Sequence, residues 1–390
     1  MSETCFLVLG DGAYYRGQEF GSPSPAIESL CNVDISVKSA GEVVFNTGMA
    51  GYHEILTDPS YTGQIVTMTY PMIGNYGSLD EWSEIGPEAP ERSGIKAAGL
   101  VVRQLYRGPI PAGRITLDEF LKRHDTPGIT DIDTRHLTLK IRDEGAPNGV
   151  IVRASLGSNH LKKRELDFCL QVLADFPPMI GRNLISNVGA SDPVTYNDGG
   201  SPHLLLVDCG IKANIIRELV KLGCRVSILP SGASKEDVGN VGADALLFSS
   251  GPGDPAVLRS QIELIASFLP LMPVFGICLG HQLISQALGA QTRKMKFGHH
   301  GVNHPVRDEL TNRVFVTSQN HGFVVDEESL PHDVDVWFRN ANDNSIEGIR
   351  HRSLPVLCAQ FHPEAAPGPR DCIWIFKEFL RVIEDHMGKE

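Results

Sequence analysis

The chain has 390 residues, of which 42% are hydrophobic and 21% are charged, and its formal net charge is −12. This length predicts two to three domains with separate cores, and the composition is typical of globular proteins. The acidic balance argues against a nucleic-acid-binding role, and no apolar run of about 18 residues predicts a membrane span. Because no charged-then-apolar leader is visible, we expect a cytoplasmic protein.

The first 150 residues mix short β-favouring runs with glycines and turn formers, which predicts a mixed α+β N-terminal domain over 1–150. Gly10-Asp11-Gly12 is a hairpin-turn signal, and apolar spacing predicts helices over about 116–124 and 134–144. Strands are predicted at Glu42–Phe45, Gln64–Met68 and Gly99–Arg103.

Residues 151–202 are predicted to connect this domain to the rest of the chain. A helical pattern covers about 161–176, whereas 188–202 is rich in turn formers and poor in apolar residues. The segment 188–202 is therefore the predicted linker.

From residue 203 to 390 the sequence alternates between predicted strands and helices. Such alternation predicts βαβ units, and hence an α/β fold with a doubly wound, mostly parallel sheet. Ligand-binding turns of such sheets lie at the carboxyl ends of the strands. The predicted strands are 204–208, 225–229, 245–249 and 274–277, and the predicted helices are about 212–222, 255–269 and 371–386.

Cys278 stands where a predicted strand meets a predicted helix. The apolar run Pro273–Ile277 ends at this cysteine, and a helical pattern begins immediately after it. Gly276 and Gly280 flank the thiol, which allows the sharp turn of a nucleophile elbow. A helix N-terminus favours thiolate over thiol, so the pattern predicts a nucleophilic cysteine.

A nucleophile of this kind needs a base, and His362 is the best candidate. It follows the apolar run Pro355–Ala359, and Glu364 lies two residues further on. In an extended segment the two side chains would leave the same face, so Glu364 could orient the imidazole toward Cys278.

A turn with the sequence Gly251-Pro252-Gly253 follows the predicted strand 245–249. Such a turn can expose backbone N–H groups to a ligand. Together with the N–H of Leu279, it predicts an oxyanion hole for a tetrahedral intermediate.

With these three motifs, the chain resembles the class I (triad) glutamine amidotransferases. The signatures are Gly276–Gln282 and Phe361–Glu364. Further segments resemble the family of small, glutamine-hydrolysing subunits of carbamoyl-phosphate synthetase, and the resemblance extends from about residue 6 to about residue 380. Those segments are Val44–Tyr52, Leu56–Tyr61, Thr69–Gly77, Asp131–Arg135, Lys294–Gly301 and Ser318–Phe323.

The resemblance implies roles for individual residues. Cys278 would be the nucleophile, His362 the base and Glu364 the orienting acid. Ser60 would place part of the glutamine site in the N-terminal domain. The residues expected to bind glutamine or the oxyanion are Ser60, Gly251, Gly253, Leu279, Gln282, Asn320, Gly322 and Phe323.

The resemblance also implies a partner, a synthetase large subunit that makes carbamoyl phosphate from ammonia, ATP and bicarbonate. The pair would form a heterodimer or a higher oligomer of it, with ATP, Mg and bicarbonate on the partner and no cofactor on this chain. The absence of a Walker-type phosphate loop from the sequence agrees with this division. Whether the product feeds arginine or pyrimidine synthesis stays open.

Two alternatives differ in kind from this hypothesis. Another amidotransferase subunit, serving anthranilate, aminodeoxychorismate or GMP synthesis, is disfavoured by motifs of the first 150 residues, such as Asn46–Met49 and Asp58–Tyr61. An inactive binding or regulatory partner that keeps the fold is disfavoured by the intact Cys278, His362 and Glu364.

The remaining cysteines and a histidine cluster have plainer interpretations. Seven of the eight cysteines are predicted to be buried, small hydrophobic residues without a disulfide. The cluster Phe297–His304 matches no zinc spacing, so we expect no metal and a loop at a domain or subunit contact.

Overall fold

The computed structural model describes residues 3–27, 30, 38–86, 94–154 and 158–388. These residues form two compact units. The first holds the described residues of Met1–Ser83 and Gly94–Ile180, and the second holds those of Glu84–Ser93 and Gly181–Glu390. Every helix in the described ranges is too short or too polar to cross a bilayer.

The first unit is built on a closed β-barrel with helices packed against it. Its helices are α1 (Tyr52–Thr57), α2 (Leu117–Arg123), α3 (Thr134–Glu144) and α4 (Lys163–Asp175). Its strands are β1 (Thr4–Leu9), β2 (Tyr14–Gly21), β3 (Ala40–Asn46), β4 (Gln64–Met68), β5 (Met72–Ile73), β6 (Gly99–Val101), β7 (Gln104–Leu105), β8 (Pro127–Thr130) and β9 (Asn148–Arg153).

The barrel closes in the order β1-β2-β8-β6-β4-β3-β9, and β9 pairs back onto β1. The pairs β8–β6, β6–β4 and β4–β3 are parallel, and the other four are antiparallel. The hairpin predicted at Gly10-Asp11-Gly12 is confirmed by the antiparallel β1–β2 pair. The helices predicted over 116–124, 134–144 and 161–176 are also confirmed, as α2, α3 and α4.

Local caps explain why two of these helices begin where they do. The Thr116 hydroxyl accepts from the Glu119 N–H at 3.1 Å, and the Glu119 carboxylate accepts from the Thr116 N–H at 3.0 Å. This reciprocal capping box fixes the start of α2. Asp133 caps α3 through the N–H of His136.

The second unit is a twisted sheet with helices on both faces. Its helices are α5 (Ala213–Lys221), α6 (Lys235–Val241), α7 (Arg259–Phe268), α8 (Leu279–Ala287) and α9 (Ile375–Met387). Its strands are β10 (Val194–Tyr196), β11 (His203–Asp208), β12 (Arg225–Pro230), β13 (Ala245–Phe248), β14 (Val274–Ile277), β15 (Thr292–Asp308), β16 (Val314–Val325), β17 (Val334–Asn340), β18 (Ile346–His351) and β19 (Val356–Ala359).

Across the described residues, the sheet order is β10-β12-β11-β13-β14-β19-β18-β17-β15-β16. The five strands from β12 to β19 are parallel to one another. On β11, Leu204 and Leu206 join the core beneath α5 and α9, while Leu205 and Val207 join the core beneath α7 and α8. Both faces are therefore covered, which confirms the doubly wound α/β fold and explains the unbroken apolar run of β11.

Several elements differ from the sequence prediction. The predicted helix 255–269 is split, because Pro255–Val257 forms a 3-10 turn and Leu258 leaves helical geometry before α7 begins. The last helix begins at Ile375 rather than at residue 371, since turns occupy the residues before it. The short strand β10 within 188–202 and the polar helix α6 were not predicted.

The segment 297–304 is a strand, so the predicted loop there is wrong. These residues lie within the long strand β15, which pairs with both β16 and β17. Its register with β16 shifts between Lys294 and His299 and again between Gly301 and His304. Such bulges place glycine and polar residues inside a strand, which makes the sequence resemble a loop.

A short segment at Glu84 joins the second unit although most of its sequence neighbours belong to the first. The Glu84 carbonyl accepts from the N–H of Ala213 at 3.0 Å, and its carboxylate accepts from the N–H of Asn214 at 3.1 Å. The same carboxylate accepts from Arg217 at 2.8 Å. Glu84 thus caps the positive N-terminus of α5. Burial raises its pKa to about 7, although Lys212 and Arg217 oppose the shift.

Candidate active site

Cys278 occupies a strained turn between β14 and α8. Its backbone has φ 54° and ψ −103°, which a non-glycine residue adopts only at a cost. The turn requires Gly280, because a Cβ there would lie 2.0 Å from the carbonyl oxygen of Phe248. The predicted strand–turn–helix arrangement is present, and Cys278 precedes the first backbone amides of α8, which have no intrahelical acceptor.

The thiol is buried among polar groups from three elements. Its Sγ lies 3.5 Å from the backbone oxygen of Asn320 and 3.7 Å from Nε2 of Gln360. Nε2 of Gln282 donates to Oε1 of Gln360 and to the backbone oxygen of Phe323, both at 2.9 Å. The structure therefore brings the predicted residues Gln282, Asn320 and Phe323 together around Cys278.

His362 and Glu364 are in direct contact, with 2.6 Å between Nδ1 and Oε1. The extended segment that we expected there is wrong. The two residues lie in a turn after β19, where the N–H of Ala365 donates to the carbonyl of His362 at 3.1 Å. The N–H of His362 is itself anchored on the carbonyl of Ser318 at 2.9 Å. The turn thus provides the contact that the sequence analysis assigned to a strand.

Opposing effects set the protonation of this buried pair. Burial and the nearby Lys212 ammonium lower the pKa of His362, but the Glu364 carboxylate and Cys278 together outweigh them and raise that pKa to about 10. Burial would raise the pKa of Glu364, but Lys212 and His362 lower it to about 2. Glu364 is therefore ionised and favours an imidazolium at His362.

Lys212 is the partner of Glu364 that the sequence analysis missed. Its Nζ lies 3.1 Å from Oε1 of Glu364 and also donates to the carbonyl of Ala365, and the side chain is 1% exposed. Asn214 donates to the backbone oxygen of Glu364 at 2.5 Å. The signal in the sequence was the position of Lys212 just after β11, at the carboxyl end of a parallel strand.

The other ring nitrogen of His362 is available for chemistry. Among the described residues its Nε2 has no hydrogen bond of ordinary geometry, while Cys278 is near enough to raise the pKa of the ring. Hydrogen bonds between a nucleophile and its base are often long before substrate binds. A cysteine, a histidine and a carboxylate thus form the connected series expected of a nucleophile, base and orienting acid.

Comparison with known proteins agrees with this geometry. The family model for class I glutamine amidotransferases matches residues 205–382, and the model for the CPSase domain of the carbamoyl-phosphate synthase small chain matches residues 7–151. The carbamoyl phosphate synthase small chain of Methanopyrus kandleri is 42% identical over 383 residues, covering 97% of this chain and 99% of that protein. This chain belongs to the carbamoyl-phosphate synthase small chain family.

Other members of the family are similarly close. The small chain of Methanocaldococcus jannaschii is 43% identical and covers 96% of this chain and 98% of its own length. The small chain of Escherichia coli O6:H1 is 42% identical and covers 99% of both. The similarity thus extends over nearly the whole chain, as the resemblance in sequence motifs implied.

In this small-chain family member, Gly251 and Leu279 lie against each other. A Cβ on Gly251 would lie 2.0 Å from the carbonyl oxygen of Cys209 and 3.0 Å from Cδ2 of Leu279, so only glycine fits. Gly253 instead forms an isolated bridge with Asn183. The structure therefore brings Gly251 to the start of α8, next to the elbow, and gives Gly253 a different neighbour.

Gly322 lies on β16 between Asn320 and Phe323, and Lys294 covers this part of the strand. A Cβ on Gly322 would lie 2.7 Å from Nζ of Lys294, and the same ammonium is 5.2 Å from the centre of the Phe323 ring. Sequence reasoning assigned no role to Lys294. It provides a cation beside two residues expected to bind glutamine.

Ser60 belongs to the first unit, in the 3-10 turn Pro59–Tyr61. Its N–H donates to the carboxylate of Asp58 at 2.8 Å, which fixes the turn. Its hydroxyl is buried and has no hydrogen-bond partner within the described ranges. The role of Ser60 in glutamine binding stays a prediction.

The other cysteines behave differently from Cys278. Cys5, Cys169, Cys209, Cys224, Cys358 and Cys372 are buried and unbridged among the described residues, and Cys31 lies outside those residues. Burial raises the pKa of each of these six thiols. They are small hydrophobic residues, as predicted.

Proposed function

We propose that this chain is the glutamine-hydrolysing subunit of a carbamoyl-phosphate synthase. The observation that carries the proposal is the buried series Cys278, His362 and Glu364, with the cysteine at a strained strand–helix elbow. Membership of the small chain family, over both the amidotransferase and the CPSase regions, supports it.

The first half of the reaction forms a thioester. In the resting site His362 holds the proton of Cys278, and the thiolate attacks the side-chain amide carbon of glutamine. The amide oxygen becomes an oxyanion, which accepts hydrogen bonds from N–H groups of Leu279 and the turn Gly251–Gly253. His362 then donates its proton to the amide nitrogen, and ammonia leaves as the carbon–nitrogen bond breaks.

The second half releases glutamate. The imidazole of His362 is now neutral, and its Nε2 takes a proton from water while the water oxygen attacks the thioester carbon. The carbon–sulfur bond breaks, glutamate departs, and the thiolate and imidazolium of the resting site are restored. Glu364 fixes the imidazole orientation through Nδ1 and stabilises its charge in both steps.

We assign glutamine recognition to Ser60, Gln282, Asn320, Gly322 and Phe323. Gln282 has a positioning role, because its side-chain amide donates to Gln360 and to the carbonyl of Phe323 and so holds both in place. The carbonyl of Asn320 lies 3.5 Å from the thiol and can accept a hydrogen bond from a bound amide.

Ammonia is then passed to a large synthetase subunit, which uses ATP, Mg and bicarbonate to make carbamoyl phosphate. The small-chain name of the relatives supports a large-chain partner. In this assignment residues 1–150 form the small-subunit domain that contacts the partner, 151–202 connect, and 203–390 form the amidotransferase domain. The complex is a cytoplasmic heterodimer or a higher oligomer of it, and this chain carries no cofactor.

The test is glutamate release from glutamine by the full chain and by Cys278→Ser, each alone and with a carbamoyl-phosphate synthase large subunit, ATP and bicarbonate. We expect Cys278→Ser to lower the rate at least about 1,000-fold. The matched control Cys372→Ser changes a buried thiol of the same unit and should keep the activity.

The outcomes separate the alternatives. Activity that needs Cys278 and rises with the large subunit supports the whole proposal. Activity that needs Cys278 but ignores the large subunit would mean an amidotransferase with a different acceptor. No glutamate from folded protein in any mixture would reject the enzyme and favour a binding or regulatory role.

A further inference from the structure

A second cluster of functional groups lies in the antiparallel half of the sheet. His299 on β15, His321 on β16 and Glu347 on β18 are 5%, 5% and 0% exposed. Oε1 of Glu347 is 3.2 Å from Nδ1 of His299 and 3.9 Å from Nε2 of His321. One ligand atom from each of the three lies within 4.8 Å of the other two.

The ring of His321 has a defined orientation and tautomer. Its Nδ1 lies 2.8 Å from the backbone oxygen of Phe323, and a carbonyl only accepts, so Nδ1 carries the proton. Nε2 therefore presents a lone pair to Oε1 of Glu347, which is also an acceptor. Within the described chain this buried Nε2 has no hydrogen-bond partner. A buried acceptor that faces another acceptor is unfavourable unless a cation lies between them.

His299 shows the same arrangement from the other side. Its Nε2 is 2.9 Å from a carboxylate oxygen of Asp343, and when that nitrogen donates, Nδ1 presents its lone pair to Glu347. A proton on Nδ1 of His299 would satisfy Glu347, but it would leave Nε2 of His321 without a partner. A metal ion would satisfy all three groups together.

The surroundings hold the three side chains in place. Oε1 of Glu347 accepts from Asn340 at 3.0 Å, and Oε2 accepts from Gln319 at 2.9 Å. The second ring nitrogen of each histidine is hydrogen-bonded to an oxygen, that of the Asp343 carboxylate for His299 and that of the Phe323 carbonyl for His321. This pattern is typical of metal-bound histidines, because the outer partner fixes the tautomer and the ring direction.

We propose that His299, His321 and Glu347 bind one zinc ion. Two imidazoles and a carboxylate form a common zinc donor set, and metal–ligand distances of about 2.0–2.2 Å place tetrahedral ligands about 3.4 Å apart. The Glu347 oxygen lies 3.2 and 3.9 Å from the two imidazole nitrogens, close to that spacing. Ligand atoms of all three residues lie within 4.8 Å of one another, so side-chain movement alone can bring them to one ion. The sequence analysis expected no metal at Phe297–His304, because the three ligands come from three strands and have no recognisable spacing in sequence.

The ion would join strands that also support the thiol site. His321 follows Asn320, whose carbonyl contacts Cys278, and the carbonyl of Glu347 accepts from the N–H of Gln360 at 2.8 Å. Zinc would therefore act as a structural link that holds β16 and β18 in position. This inference does not depend on the proposed function.

The test is zinc binding by the metal-stripped full chain, measured by equilibrium dialysis with metal analysis. Cys278→Ser serves as the parent, because a thiol beside an imidazole can bind zinc by itself. We expect about one tight zinc per chain, and at least a roughly 100-fold weaker affinity when His321→Gln or His299→Gln is added. The matched control His332→Gln, at an exposed histidine, should leave the affinity unchanged.

Two further readouts guard against variants that simply misfold. Zinc should raise the melting temperature of the parent and of the His332→Gln variant but not that of folded His321→Gln. Co²⁺ bound to the parent should give a visible spectrum of nitrogen and oxygen ligands, lost in both ligand variants. Zinc that binds equally well to the parent and to folded His321→Gln and His299→Gln, or does not bind the parent at all, would overturn the proposal.

Discussion

The two halves of the second unit's sheet are organised in different ways. In the parallel half, backbone geometry positions the catalytic cysteine. The elbow at Cys278 can form because Gly280 allows α8 to approach the backbone of Phe248. In the antiparallel half, side-chain contacts position the functional groups. Glu347, Gln319 and Asn340 form a buried hydrogen-bond network among the strands. A backbone turn is encoded within a few residues, whereas a buried network depends on residues that only the fold brings together.

The sharpest test of the parallel half is Gly280→Ala. The added Cβ would lie 2.0 Å from a backbone oxygen that cannot move without displacing β13. We expect a loss of more than about 3 kcal/mol in the free energy of unfolding and of at least about 1,000-fold in glutamine hydrolysis. Urea unfolding and glutamate release measure the two effects.

The matched control is Gly239→Ala in α6, where an added Cβ has no neighbour within 4 Å. It should keep both stability and activity. If Gly280→Ala retained full activity, backbone geometry would not be what determines the elbow.

A second prediction concerns Lys212→Met. Removing one partner of a buried ion pair leaves Glu364 with His362 as its remaining charged partner, and we expect a loss of roughly 3 kcal/mol in the free energy of unfolding at neutral pH. Thermal or urea unfolding measures it. Lys221→Met, on the exposed side of α5, is the control and should change stability little.

The pH dependence has a definite sign. In the folded chain Lys212 and His362 lower the pKa of Glu364 from its ordinary 4.5 to about 2. Ionised Glu364 therefore stabilises the fold above about pH 4.5, and this stabilisation is lost as the pH falls toward 2. Without Lys212 the pKa of Glu364 rises, so the acid limb of kcat/KM should move to higher pH. An unchanged acid limb would show that Lys212 does not act on Glu364.

In the antiparallel half, Asn340→Ala tests the network. The side chain is fully buried and donates to Glu347 at 3.0 Å, so its removal leaves a carboxylate oxygen short of a donor. We expect a cost of about 1–3 kcal/mol in unfolding free energy, with a fall of less than about tenfold in activity. Asn342→Ala, at an exposed neighbour, should have little effect on either.

The smallest expected effect lies in the first unit. Thr116→Ala removes the hydroxyl that caps α2, which typically costs about 1 kcal/mol. Glutamine hydrolysis by the isolated chain should not change, and Thr116→Ser should restore the stability. A large loss of activity in Thr116→Ala would mean that the capping region of α2 also influences the chemistry.

The sequence was sufficient for the parts of the site that obey local rules. The break between β14 and α8, with a cysteine between two glycines, could be predicted because strand, turn and helix each have a residue signature. The contact between His362 and Glu364 could be predicted from their spacing, although the backbone between them is a turn rather than a strand. The doubly wound α/β fold could be predicted from the alternation of predicted strands and helices.

The remaining features could not be predicted because they depend on contacts between distant segments. Lys212 meets Glu364 across 152 positions of the chain, and the position of Lys212 after β11 does not reveal which residue it pairs with. The bulges of β15 made a strand look like a loop. The barrel of the first unit combines parallel and antiparallel pairs of short strands, and their order leaves no trace in local patterns.

Glu84 has a practical consequence for anyone who divides this protein. A fragment that starts at Gly181 contains every strand of the ten-stranded sheet among the described residues, yet it lacks the carboxylate that caps α5 and pairs with Arg217. The capped amides of Ala213 and Asn214 follow Lys212 directly, and Lys212 contacts Glu364. Losing the cap would therefore disturb the backbone next to the catalytic carboxylate. A fused peptide carrying residues 84–86 is therefore a sensible addition to any such fragment.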